Sequence, residues 1–181
     1  MPVDEIETRY CQYVEEVLNH HQLDRLAAYL APDVIVHAPG VPAGLAGTWQ
    51  LVASYLSAFP DLHLSIDTLL ALDGELLARL TATGTHTGRF LGVAPTGRRV
   101  SVGAFECWRL RDGRCTEHWL QLDLLGLLQQ LGDGPRGGET YMASSGPDTL
   151  VAPQLDEAGT APGRRKRRTR ELVVPPDCAG C

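Results

Sequence analysis

The chain has 181 residues, 44 % of them hydrophobic, enough for one core of ordinary size plus an appendage. Its formal charge of −6 resides in residues 1–132, which hold nine basic and fifteen acidic side chains, whereas residues 133–181 hold seven of each. An acidic folded part argues against nucleic acid as a partner. Lacking both a charged-then-apolar leader and an apolar run near the roughly twenty residues that span a bilayer, the protein is expected in the cytoplasm, off the membrane.

In chain order, Ile6, Tyr10, Tyr13, Val14 and Val17 recur at helical spacing and form the apolar stripe of a first helix. A short second helix is expected over 23–30, stopped by Pro32. Residues 34–38 read as a short strand, and a loop runs from Pro39 to Gly47. Thr48 suits the N-cap of a third helix that turns Trp49, Val52, Tyr55, Leu56 and Phe59 inward. Strands are predicted over 62–72, 76–87, 99–110 and 114–122, and Asp123 is placed to cap a last helix ending at Leu131.

The chain changes character after Gly132. Thirteen of the last 49 residues are Gly or Pro and aromatics are scarce, so the folded domain is assigned to 1–132 and 133–181 to a disordered tail. The basic run over 164–170 reads as a solvated stretch among compensating acids. Cys178 and Cys181 have the spacing of half a zinc site, but neither a second cysteine pair nor paired histidines complete it.

The hairpin over 100–123 carries the most specific signal. Val100, Val102, Ala104, Trp108 and Leu110 share the parity of Glu106, which places a carboxylate in an apolar stripe. Thr116, Leu120 and Leu122 share the parity of His118. A three-residue loop, Arg111-Asp112-Gly113, sets Glu106 directly opposite His118 and buries both stripes together. A two-residue Asp112-Gly113 turn would instead set Glu106 opposite Trp119 and send His118 to the other face. The outer parity holds Phe105, Cys107, Cys115, Trp119 and Gln121, a partly apolar surface suited to a homodimer, with the two cysteines as structural thiols.

Other chemistries are poorly served. The single lysine, Lys166, lies in the tail, which removes a Schiff base from the core. There is no GxSxG elbow and no HExxH, and histidines 20, 21, 37, 63, 86 and 118 lack metal-ligand spacing. Gly92 to Gly97 mimics a phosphate loop, but Arg98-Arg99 stands where Lys-Ser/Thr is needed. Acid/base chemistry without metal or cofactor remains, with Glu106 and His118 as the proton-exchanging pair. The plainer alternative is a polar pair that fixes strand register. His86 shares parity with Gly84, Ala82, Leu80 and Ala78 and is expected to reach the same cavity, while Tyr13, Trp49, Tyr55 and Trp108 are candidate walls for a flat ligand.

From residue 84 to 132 the chain reads GTHTG, then PTGR, DG, EHW, Asp123 and QLG, in an order and spacing that resemble the SnoaL-like polyketide cyclase family. The N-terminal part agrees through APDVIVHAPG and FPDLH, so the resemblance spans roughly residues 5–132. It implies an α+β cystatin-like cone, with three N-terminal helices packed on a curved, mostly antiparallel sheet and a short C-terminal helix. It further implies a pocket for a hydrophobic small molecule, a homodimer, and His37 at the pocket rim. Aldol-type members carry an aspartate where this chain has Leu120 and a histidine where it has Glu106. A cofactor-independent cyclase or isomerase of a polyketide-like metabolite is thus the leading expectation. Epoxide opening by an internal hydroxyl, and non-catalytic binding or dimerisation, are the alternatives.

Overall fold

The computed structural model describes residues 2–38, 40–72 and 74–132. The tail, with its basic run and Cys178 and Cys181, lies outside the described residues, as does any test of the 132/133 boundary. The first helix, α1 (Val3–Tyr13), carries Asp4 and Glu5 in its first turn, where acidic side chains complement the helix dipole. It widens into a π-helical segment, Val14–Asn19. Asn19 ends that segment by bonding both ways to Leu64: the Leu64 amide donates to its Oδ1 at 2.8 Å, and its Nδ2 donates to the Leu64 carbonyl at 3.2 Å.

The second helix is shorter than its sequence suggests. A 3₁₀ turn (Leu23–Arg25) and a single turn, α2 (Leu26–Tyr29), give way to strand β1 (Leu30–His37), which begins before Pro32. Proline is tolerated there because β1 is an edge strand. Helix α3 (Leu45–Ala58) likewise starts earlier than expected, after Gly44 at φ +88°. Thr48 therefore lies inside the helix instead of capping it, and its hydroxyl donates to the Gly44 carbonyl at 3.3 Å.

Strands β2 (His63–Leu72), β3 (Glu75–Thr85), β4 (Arg99–Arg111) and β5 (Arg114–Leu122) complete a five-stranded sheet in the order β1-β5-β4-β3-β2. Only β1 and β5 pair in parallel, so the expected α+β, mostly antiparallel architecture holds. The last helix, α4 (Leu124–Leu131), is capped by Asp123, whose side chain accepts from the Gly126 amide at 2.9 Å. No helix among the described residues is long and apolar enough to cross a membrane.

One face of the sheet carries the core. Ile6, Tyr10, Tyr13 and Val17 pack on Leu76, Leu80 and Trp108, while Phe59, Phe90, Val100, Val102, Leu127 and Leu131 form a second, smaller cluster. The opposite face leaves Ile35, Leu77 and Phe105 exposed.

The β4–β5 hairpin differs from the expected register in an instructive way. Asp112 and Gly113 both have positive φ and form a two-residue turn between paired Arg111 and Arg114. By itself that turn would put His118 outside. However, the register shifts between Arg109 and Leu110: Leu110 pairs with Cys115 and Arg109 with Glu117, so Thr116 is an extra residue, a β-bulge. The bulge restores the parity. His118 returns to the inner face opposite Trp108, while Glu106 pairs with Leu120. Cys115, expected outside, is fully buried in the main core.

The GTHTG segment fastens the end of β3 to the end of α3. The amides of Thr87 and Gly88 both donate to the Ala58 carbonyl at 3.0 Å, and a Cβ on Gly88 would meet the Ser57 carbonyl oxygen at 2.0 Å. Gly88→Ala should therefore lower stability by about 1–3 kcal/mol, the usual range for overpacking, in chemical denaturation. An unchanged midpoint would show that this close approach is relaxed in solution.

Candidate active site

The inner face of β4 presents Val100, Val102, Ala104, Glu106 and Trp108 in alternation, and the bulge brings His118 beside Glu106 on the neighbouring strand. The two are diagonal neighbours, not directly opposed, and their side chains close the gap: His118 Nε2 lies 3.3 Å from Glu106 Oε2. Both residues are almost fully buried, at 4 % and 5 % exposure. Helix α1 supplies a third member, since the buried Tyr10 hydroxyl donates to the same Oε2 at 2.9 Å. Trp108 holds these groups together edge-on, its ring centroid 5.1 Å from Tyr10, 4.6 Å from Tyr13 and 5.7 Å from His118.

Burial alone pushes the Glu106 carboxyl upward. The attraction of His118 and the hydrogen bonding from His118 and Tyr10 outweigh it, so the carboxyl sits below its ordinary range and is ionised near neutrality. Burial, reinforced by the Glu106 charge, holds the Tyr10 and Tyr13 phenols well above theirs, so both stay protonated donors. Burial also raises the Cys115 thiol, which is inert.

A cavity of about 640 Å³, counting its open mouth, lies over this pair. Glu106, His118 and Leu120 form part of its floor, and Tyr13, Leu18, Thr48, Val52 and Tyr55 come from the helices above. Of the sequence-predicted site residues, the fold thus unites Glu106, His118, Leu120, Tyr13 and Tyr55 around one space. Trp108 stands behind the pair and does not line it.

Three expected members lie elsewhere. His86 faces inward, as its parity demands, but packs beyond the cavity with its ring 5.3 Å from Phe59 and its Nδ1 3.1 Å from the Thr96 hydroxyl. The PTGR loop fixes it there, because its amide donates to the Arg98 carbonyl and its carbonyl accepts from Gly97. His37 is on the outer face of the sheet, stacked on Trp119 at 4.5 Å with Nε2 3.2 Å from Glu117. It follows Val36, which takes the inward position in the alternation of β1. Trp49 is 49 % exposed. It sits one residue, about 100° of helix rotation, away from Thr48 at the centre of the buried stripe.

Tyr10 and Thr48 are the members that sequence reading missed. Tyr10 was visible as part of an apolar stripe, but nothing in α1 indicates that its hydroxyl meets a carboxylate 96 residues away. Among the described residues, no three of His, Cys, Asp and Glu come together as metal ligands.

Residues 8–131 match the family profile described as SnoaL-like polyketide cyclase. Nogalonic acid methyl ester cyclase of Streptomyces nogalater is 32 % identical to this chain over 106 residues, covering 58 % of it and 78 % of the relative. TsrD from Streptomyces laurentii superposes with a TM-score of 0.69 at 29 % identity, over 74 % of this chain and 98 % of that one. AclR from Streptomyces galilaeus superposes with a TM-score of 0.67 at 32 % identity, over 74 % of this chain and all of that one (100 %).

The clamp on Glu106 has a measurable signature. Tyr10→Phe removes one donor to the carboxylate, so the Glu106 titration should move up and stability should fall by about 1.5–3 kcal/mol near neutral pH. The folded-state value is depressed in the native protein. The stabilisation is therefore present above the unfolded glutamate value, about 4.3, and is lost as pH falls through the lower folded value. The difference between native protein and variant should accordingly shrink in acid. Carboxyl titration by NMR and denaturation at several pH values measure both, and a Glu106 titration unmoved by the substitution would show that Tyr10 does not clamp it.

Proposed function

The chain belongs to the SnoaL-like polyketide cyclase family, and from that premise we propose that it closes or isomerises a ring in a polyketide-like polycyclic substrate by acid/base chemistry without a cofactor. The observation that supports this reading is the pairing of an ionised, buried Glu106 with His118 at the floor of a cavity whose lining is otherwise apolar or hydroxyl-bearing. A flat hydrophobic substrate fills such a space. Its acidic C–H or O–H then meets Glu106, the only carboxylate among the described residues that lines it.

Glu106 accepts the proton. Tyr10 and His118 both engage Oε2, and the carboxylate lines the cavity, where it meets the substrate. His118 offsets the Glu106 charge and passes the proton onward, with Nε2 3.3 Å from Glu106 Oε2 and Nδ1 buried without a hydrogen-bond partner among the described residues. The low basicity of Glu106 limits the driving force for each transfer but keeps the base fully ionised at working pH.

Leu120 favours a second ring closure with the same pair. It is the Cα partner of Glu106 and lines the cavity. An apolar side chain there supplies no second acid for an aldol step. In the attack of an internal hydroxyl on an epoxide, a new C–O bond forms as the epoxide C–O bond breaks, Glu106 takes the hydroxyl proton and His118 relays it to the released alkoxide, so no acid is needed at position 120.

Nogalonic acid methyl ester is the first substrate to try, since the relative named for it covers this part of the chain. Glu106→Gln preserves shape and removes the base, so turnover should fall by roughly 10²–10⁴ with little change in ligand affinity. His118→Asn should act similarly, and the double variant should lose far less than the product of the two, because the residues act as a unit. Full turnover by Glu106→Gln on a substrate that the native protein converts would reduce the pair to a structural role. On the outer face, Ile35, Leu77 and Phe105 (54 % exposed) support a homodimer through the sheet. Sedimentation at micromolar concentration should give twice the monomer mass, and a monomer would rule that assembly out.

A further inference from the structure

A second, smaller cavity of about 280 Å³, counting the space open to solvent, adjoins the first and shares Tyr55, Leu62 and Ala82 with it as a common wall. Beyond that wall it is lined by Val100, Val102 and Leu127 among others, and no charged residue lines it among the described residues. The two spaces follow one another along β4. Ala104 and Glu106 line the first, and Val100 and Val102 line the second, all on the inner parity of the strand. At roughly 3.3 Å per residue, Val102 lies about 13 Å along the strand from Glu106. On the sheet side the boundary between the two cavities carries only small residues, Ala82 in both linings and Ala104 in the first.

We propose that this second cavity is a subsite for an uncharged alkyl substituent at the end of the substrate remote from the reacting atoms, with Val102 and Leu127 setting how long that substituent can be. The inference rests on the reading of the main cavity as a polycyclic-ligand site. Apolar cavities hold water poorly, and an alkyl group entering this one gains burial without displacing hydrogen-bonded solvent. A charged or strongly hydrated group would lose its solvation and find no partner. A single ring held at Glu106 falls short of Val102, whereas a linearly fused system spans the distance. The ligand is thereby oriented end to end: polar, reacting edge at Glu106 and His118, alkyl end under α4.

The test uses 2-hydroxyanthraquinone and its 6-methyl, 6-propyl and 6-pentyl homologues, titrated calorimetrically into the full-length chain. Affinity should rise by about fourfold per methylene buried and then level off when the subsite is full. Val102→Phe fills the subsite, so its affinity should not rise from the parent compound to the longer homologues. Leu127→Ala widens the subsite, so affinity should continue to rise at chain lengths where the native protein has stopped; it serves if Val102→Phe does not fold. A parent compound that binds with no gain from lengthening overturns the subsite alone, as does an unchanged stopping length in Leu127→Ala. A parent that does not bind overturns the polycyclic reading and the subsite with it.

Discussion

A carboxylate withdrawn from water must be compensated or it takes up a proton, and the elements around Glu106 are arranged to prevent the second outcome. Tyr10 arrives from the first helix, His118 from the last strand, and Trp108 braces both from the strand that carries Glu106 itself. The helix layer and the sheet are thus joined at a charged centre as well as by apolar packing. Breaking such a centre from one side leaves an uncompensated buried charge, which costs more than the intact arrangement contributes. The packing of helix layer on sheet consequently depends on how Tyr10, His118 and Trp108 surround Glu106.

The inward position of His118 is a product of the bulge at Thr116. A two-residue turn with two positive-φ residues suits the right-handed twist of the strands, and Asp112-Gly113 is well matched to it. The turn and the hydrophobic pattern make opposite demands on β5, and one inserted residue satisfies both. Its hydroxyl donates to the Arg109 carbonyl at 3.2 Å, which binds the displaced backbone to the partner strand.

Much of this was legible in the sequence, for identifiable reasons. Period-two alternation fixed the inner faces of β3 and β4 and placed Glu106, Leu120 and His118 on one side, because one face of the sheet is buried and a slip would be costly. Asp123 was readable as a cap because capping is local. The bulge was not legible, since the same parity follows from a longer loop without it. His86 and His37 show a further limit: alternation gives the face a side chain takes but not its position along that face, nor what lies above it. Trp49 failed because its exposure depends on where α3 begins and how it rolls on the sheet. Tyr10 failed because its partner is distant in sequence.

The outer face repeats polar organisation at much lower stakes. Arg109 reaches Glu117 at 2.6 Å and Glu75 at 3.2 Å, and its guanidinium lies over the Trp119 ring, whose other contact is the stacked His37. These groups remain exposed to solvent, so each pair contributes little by itself. Their arrangement sets charged groups among the exposed apolar side chains of that sheet face.

Cys115 lies one residue before the bulge, fully buried between β1 and β4. Its thiol donates to the Glu117 carbonyl at 3.1 Å, and burial keeps it protonated. A thiol-modifying reagent can reach it only when β5 separates from its neighbours, whereas half-buried Cys107 stands on the outer face of the same hairpin. The chain thus contains a built-in clock for the opening of the strand that holds His118: the rate at which Cys115 becomes alkylated counts those openings directly.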